Sequence, residues 1–197
     1  MIYNFEYELK VMLTETEYER LITYDGCDAF RQTNYYFDTP AFDMYKNKVV
    51  IRIREKNDEY ELTVKSKDHS VFDTGVVGMH EENNHISKET ALSIIGGEED
   101  IHKYLPDNSV YKGRVLTNVG YITTIRKLIS INDDLPMAEL DKSLYEGKAD
   151  YELEWEISEE KYNKAIESLA KANVMLDDRA KGLSKYGRLV DRLMEDR

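Results

Sequence analysis

Charge recurs at alternate positions in one strand-like segment after another of this chain, and few folds satisfy that pattern. From Tyr3 to Met12, Phe5, Tyr7, Leu9 and Val11 share one face, while Glu6, Glu8 and Lys10 share the other. Period-two alternation marks a strand lying between two different environments. Arg52 and Arg54 repeat the pattern in Lys48 to Lys56, and Glu61 and Lys65 repeat it in Glu59 to Ser66. Thr124 and Arg126 do so in Tyr121 to Ile131, and Glu139 and Asp141 in Pro136 to Lys142. In Asp150 to Ile157, Glu152, Glu154 and Glu156 alternate with Tyr151, Leu153 and Trp155. One such face taken alone normally meets solvent. Its recurrence, beside apolar faces this bulky, favours a closed barrel with charges turned inward and helices covering the outside. Periodicity alone does not decide between solvent and lumen.

The remaining segments fit that frame. Thr14-Glu15-Thr16-Glu17 reads as a capping box opening a helix to about Tyr24. Gln32 to Thr39 is a strand stopped by Pro40. Asn57-Asp58 centres a two-residue hairpin that sets Arg54 opposite Glu61, Arg52 opposite Thr63 and Val50 opposite Lys65. Val71 to Glu81 reads as another strand, and Ser87 caps a helix ending at Gly96-Gly97. A short helix before Pro106 and a strand over Arg114 to Asn118 follow. Two helices close the chain over about residues 159–194, the last striped by Leu183, Tyr186, Leu189, Val190 and Leu193. The expected class is α+β: an eight-stranded antiparallel barrel with outer helices, forming one domain over residues 1–197.

Composition narrows the function. A formal net charge of −12 argues against nucleic acid binding through the general surface. No apolar run is long enough for a membrane span. The start, Met1 to Glu6, lacks the basic and apolar stretches of a signal peptide. With one cysteine, Cys27, the chain has no internal disulfide framework, and the expected location is the cytoplasm. His69, His80, His85 and His102 show no zinc-ligand spacing, and no glycine-rich phosphate loop is present.

Mixed acid and base inside one lumen has a specific chemistry. Arginine and lysine suit phosphate oxygens, and clustered carboxylates are hard oxygen ligands for Mg²⁺ or Mn²⁺. Such a cation bridges carboxylates and phosphates and orients water. A glutamate outside the ligand set can act as general base. The combination fits phosphoryl transfer.

Glu6-Tyr7-Glu8-Leu9-Lys10 resembles the E-x-E-x-K signature of the CYTH superfamily, the triphosphate tunnel metalloenzymes. In the same order follow Asn34-Tyr35-Tyr36-Phe37-Asp38-Thr39, Arg52-Ile53-Arg54 and Leu62-Thr63-Val64-Lys65. The run Val119-Gly120-Tyr121-Ile122-Thr123-Thr124-Ile125-Arg126, then Leu140-Asp141-Lys142-Ser143, then Asp150-Tyr151-Glu152-Leu153-Glu154, completes the set. The chain looks most like the small stand-alone CYTH proteins of Gram-positive bacteria. The resemblance implies that Lys10, Arg52, Arg54, Lys65, Arg126 and Lys185 hold a triphosphate. It implies Glu6, Glu8, Asp141, Glu152 and Glu154 as metal ligands, with Glu61, Glu81 and Glu139 as further acidic candidates. Glu6, Glu154, Arg54 and Lys65 are the catalytic candidates.

The function expected is metal-dependent hydrolysis of inorganic tripolyphosphate or another triphosphate-bearing small molecule, such as a nucleoside triphosphate or thiamine triphosphate. Trp155 falls on the face opposite Glu154, which argues against its stacking on a base and for packing under a helix. The alternatives are a class IV-type adenylate cyclase, which needs a firm nucleoside pocket, and a non-catalytic triphosphate or polyphosphate sensor. The expected assembly is a monomer or a homodimer.

Overall fold

The computed structural model describes residues 6–67, 79–107, 110–176 and 183–195. The strands are β1 (Glu6–Leu13), β2 (Phe30–Asp38), β3 (Val50–Lys56), β4 (Glu59–Lys67), β5 (Met79–Ile86), β6 (Thr117–Ile129), β7 (Ala138–Tyr145) and β8 (Lys148–Ser158). The helices are α1 (Glu15–Leu21), α2 (Asp43–Lys46), α3 (Lys88–Gly96), α4 (Tyr162–Lys171) and α5 (Lys185–Glu195). Hydrogen bonding orders the strands β1-β8-β7-β6-β2-β3-β4-β5 in one eight-stranded sheet. The pairs β1·β8, β7·β8, β2·β3, β3·β4 and β4·β5 are antiparallel. The chain clusters into two compact units, residues 1–31 with 124–183, and residues 32–123 with 184–197.

In the first unit, Thr14 and Glu17 form the capping box expected from sequence. The Glu17 amide donates to Thr14 Oγ1 at 3.2 Å, and the Thr14 amide donates to Glu17 Oε2 at 2.7 Å. Leu9, Val11 and Leu13 of β1, Leu140 of β7, and Leu153, Trp155 and Ile157 of β8 form one buried face. Leu21 of α1 and Ala165 and Leu169 of α4 pack in the same cluster. Each large side chain buried there contributes about 1.5–3 kcal/mol. Trp155 is fully buried, and its indole Nε1 donates to the Pro136 carbonyl at 2.7 Å. Gly26 is needed by close approach: a Cβ there would sit 2.0 Å from the Leu128 carbonyl oxygen, beside the Gly26–Ile129 bridge.

In the second unit, Asn57 and Asp58 both have positive φ, 54° and 62°, as a two-residue hairpin of this twist requires. The β3·β4 register is the one the sequence predicts: Arg54–Glu61, Arg52–Thr63 and Val50–Lys65. Phe37, Ile51, Ile53, Leu62 and Val64 cover the apolar face, with Ala91 and Ile94 of α3 against them. Ser87 caps α3 by accepting from the Thr90 amide at 3.1 Å, and Gly97 ends it in the left-handed region.

Most element bounds shift by a few residues from the sequence reading, and β5 and β6 shift most. The strands expected at Arg114–Asn118 and Tyr121–Ile131 are replaced by one, β6, which begins only at Thr117, runs through Gly120 and ends at Ile129. The strand expected at Val71–Glu81 continues to Ile86; residues 71–78 lie outside the described residues. The ladder with β4 carries the polar Asn83 and Asn84 as register partners of Thr63 and Leu62. The short α2 was not expected. Among the described residues no helix is long and apolar enough to cross a membrane.

Candidate active site

In the first unit, neighbouring strands bring acid and base to one face by register. Lys10 of β1 is the partner of Glu154 of β8, and Glu154 is the partner of Glu139 of β7. Asp141 lies opposite Glu152. The apolar positions between them fill the core, so the charged set shares the other face.

That set is tightly connected. Lys10 Nζ stands 3.3 Å from Glu152 Oε2 and donates to Glu154 Oε1 at 3.1 Å. Arg126 Nε donates to Asp141 Oδ1 at 2.7 Å, and its Nη2 donates to Asp141 Oδ2 at 2.6 Å and Glu154 Oε2 at 3.2 Å. Arg126 Nη1 also contacts Glu139. Burial alone would lower the Arg126 pKa, but its hydrogen bonds to Asp141 and the charges of Asp141, Glu139 and Glu154 raise it above the ordinary value. It is a permanent cation.

Asp141, Glu152 and Glu154 each offer a carboxylate oxygen, and these oxygens lie within 4.8 Å of one another. Asp141 and Glu152 are buried and Glu154 half-buried. Three hard oxygen donors this close suit Mg²⁺ or Mn²⁺, not a soft metal. The other expected ligands, Glu6 and Glu8, are described in backbone only, where they pair with Ser158 and Glu156.

In the second unit, Arg52, Arg54 and Lys65 lie on the face opposite the apolar cluster. Arg54 Nε donates to Asn34 Oδ1 at 3.0 Å. Arg52 Nη2 stands 3.9 Å from Glu81 Oε1, and Lys65 Nζ stands 2.6 Å from Glu81 Oε2. Arg52 Nε is buried with no hydrogen-bond partner among the described residues. Burial pushes the Glu81 pKa up, but the Lys65 hydrogen bond and charge, with Asn83 and Arg52, hold it below the usual value. Glu82 lies opposite Val64 on the other face, which distinguishes it from Glu81. Glu61 is half-buried and opposite Arg54. Lys185 is half-buried at the start of α5.

The structure therefore gathers Lys10, Arg126, Glu139, Asp141, Glu152 and Glu154 in one network, and Arg52, Lys65 and Glu81 in another. Sequence reasoning gave no role to Asn34 or Asn83. Asn34 is the register partner of Arg54, a signal carried by the alternation of Asn34 and Tyr36 on β2. Asn83 Nδ2 donates to Glu81 Oε1 at 3.3 Å.

A CYTH domain family model matches residues 4–186. The "Putative triphosphatase YjbK" of Bacillus subtilis (strain 168) is 31% identical over 166 residues, 81% of this chain and 80% of that protein. A Hippeastrum protein, HpAC1, described as a "putative adenylyl cyclase" with a dominant triphosphatase activity, superposes with a TM-score of 0.71 at 20% identity, covering 95% of this chain and 96% of that one. A "putative adenylate cyclase" of Bacillus halodurans superposes with a TM-score of 0.70 at 25% identity, covering 94% and 97%. These likenesses carry the fold class, an eight-stranded antiparallel sheet with helices as in the tunnel fold of these neighbours, although among the described residues hydrogen bonding leaves the expected barrel open between β1 and β5.

Proposed function

The chain belongs to the CYTH domain family, and from that premise we propose that it is a divalent-metal-dependent triphosphatase. Its substrate is inorganic tripolyphosphate or another small molecule ending in a triphosphate. The observation that carries this reading is the Lys10–Glu154–Arg126–Asp141 network, in which two cations interleave with the carboxylates able to hold a metal. A sensor of triphosphate needs the cations but not that acidic trio.

Asp141, Glu152 and Glu154, with Glu6 and Glu8, are the residues that would hold Mg²⁺ or Mn²⁺. When bound, such a cation would neutralise charge that builds on the phosphate oxygens. The chain's own residues do the rest. Arg52, Arg54, Lys65, Lys10, Arg126 and Lys185 bind phosphate oxygens, the arginines as two-pronged donors. Asn34 orients the Arg54 fork by accepting from its Nε, and Glu81 restrains Lys65 through their ion pair. Whichever of Glu154 and Glu6 is not engaged by the cation takes the proton of the water that attacks the terminal phosphorus. The pyrophosphate oxygen leaves as the phosphorus–oxygen bond breaks, and the cations stabilise the charge it gains. A single domain over residues 1–197, a cytoplasmic location and a monomeric or homodimeric state belong to the same proposal.

Product analysis tests it. Incubation with ATP and Mg²⁺ or Mn²⁺ is expected to release orthophosphate. Cyclic AMP with pyrophosphate would replace this reading by the cyclase.

A further inference from the structure

The second unit contains a buried carboxylate that phosphate binding does not use. Asp38, at the end of β2, is fully buried. Its Oδ1 accepts the Thr39 and Met44 amides at 2.7 and 2.8 Å, and its Oδ2 accepts the Tyr45 amide at 3.0 Å. Oδ2 also accepts the hydroxyl of Tyr186, from the first turn of α5, at 2.7 Å. The loop it organises includes Phe42, buried and in the left-handed region at φ 57°. A bulky residue in that conformation persists only where its surroundings hold it.

Tyr186 is held on two further sides. Its ring stacks on Tyr36 at 4.6 Å between centroids, 11° from parallel, and meets the Tyr45 ring edge-on at 5.9 Å. Tyr36 is the β2 partner of Arg52, and Asn34, two residues earlier, is the partner of Arg54. The first turn of α5 thus packs on the face of β2 and β3 that carries the arginines, away from the apolar cluster under α3. Further along α5, a Cβ added to Gly120 would stand 3.4 Å from Leu189, so the helix lies close to β6 there.

We propose that Asp38 and Tyr186 are positioning residues, whose hydrogen bond fixes the start of α5 over Tyr36 and so sets where Lys185 stands relative to Arg52 and Arg54. Stacking alone restrains a ring weakly against rotation in its own plane. A carboxylate already held by three amides is a fixed point, and one charge-assisted bond to it removes that freedom. This inference rests on the triphosphatase reading for its effect on substrate, but not for the lock itself.

The test is Tyr186→Phe, which keeps the ring and leaves Asp38 its amide donors. We expect KM for tripolyphosphate to rise about tenfold, the scale of a lost hydrogen bond to a charged group. The kcat should stay within about twofold, because the lock acts through position rather than on the reacting atoms. Amides of α5 should exchange faster with solvent while Tm moves by only a few degrees. In a Lys185→Ala background, Tyr186→Phe should change KM by less than about twofold, since coupled residues are not additive. Unchanged exchange of α5, or an equal KM rise in both backgrounds, overturns the proposal. If the wild type turns over no triphosphate, the function assigned above fails. The lock is then judged by α5 exchange and by calorimetric tripolyphosphate binding, where values unchanged by Tyr186→Phe overturn it.

Discussion

Arg126 holds Asp141 in a two-pronged grip, with Nε to Oδ1 at 2.7 Å and Nη2 to Oδ2 at 2.6 Å, and Asp141 is fully buried. The same guanidinium reaches Glu154 and Glu139, so one cation is shared by three acids on adjacent strands. Removing it leaves buried carboxylates unbalanced. Arg126→Met should cost about 3–5 kcal/mol of stability, the scale of breaking a buried ion pair from one side. Denaturant unfolding checks this, and a stability loss below about 1 kcal/mol, typical of an exposed pair, would contradict it.

Glu154→Gln is nearly isosteric but removes a negative charge from the acidic trio. Turnover should fall by about 10²–10⁴-fold, the scale of losing a general base. Tripolyphosphate binding, measured by calorimetry, should persist. Turnover like that of the wild type would remove Glu154 from the reaction.

Arg54 has a different expected signature. Arg54→Ala should raise KM about tenfold or more, the scale of a charge-assisted hydrogen bond, with a smaller change in kcat. Steady-state kinetics on tripolyphosphate separates the two. An effect confined to kcat would place Arg54 with the reacting atoms rather than with binding.

Glu81 predicts a pH dependence. Its folded pKa lies below its ordinary value of 4.5, so the folded state binds the proton less readily than the unfolded chain. The stability it contributes is present above that ordinary value and is lost as pH falls through the depressed folded pKa. Melting of wild type and Glu81→Gln should therefore converge as the solution is acidified below 4.5. Curves that stay parallel through that range would show that Glu81 does not titrate as its pairing with Lys65 requires.

Chelation tests the acidic trio. EDTA should abolish phosphate release, and Mg²⁺ or Mn²⁺ should restore it. Either ion should also raise Tm of the substrate-free protein, and Asp141→Asn or Glu152→Gln should shrink that rise. A Tm indifferent to both ions would argue that the trio is a structural ion-pair network.

Much of this was legible in the sequence because strand alternation and tight turns are local. The β3·β4 register followed from Asn57-Asp58 alone, since a two-residue turn with positive φ at both positions leaves one pairing. The charged face of β8 followed from the spacing of Glu152 and Glu154 around a buried Leu153. Gly120 misled, because a glycine reads as a break while ladder partners can hold the backbone extended through it. Asn83 and Asn84 hid the end of β5 for a similar reason, as their weak strand preference is overridden by pairing with β4. Which cation meets which acid was not legible. Lys10 and Glu154 are 144 residues apart, and Asp38 and Tyr186 are 148 apart. Such pairings depend on how strands order in space, which no local pattern encodes.

The most direct test is orthophosphate release from tripolyphosphate by purified protein with Mg²⁺ or Mn²⁺, beside Glu154→Gln in the same assay. The wild type is expected to release orthophosphate rapidly and the variant almost none. Tight tripolyphosphate binding by both proteins, with no orthophosphate from either under any divalent ion tried, would contradict the triphosphatase reading.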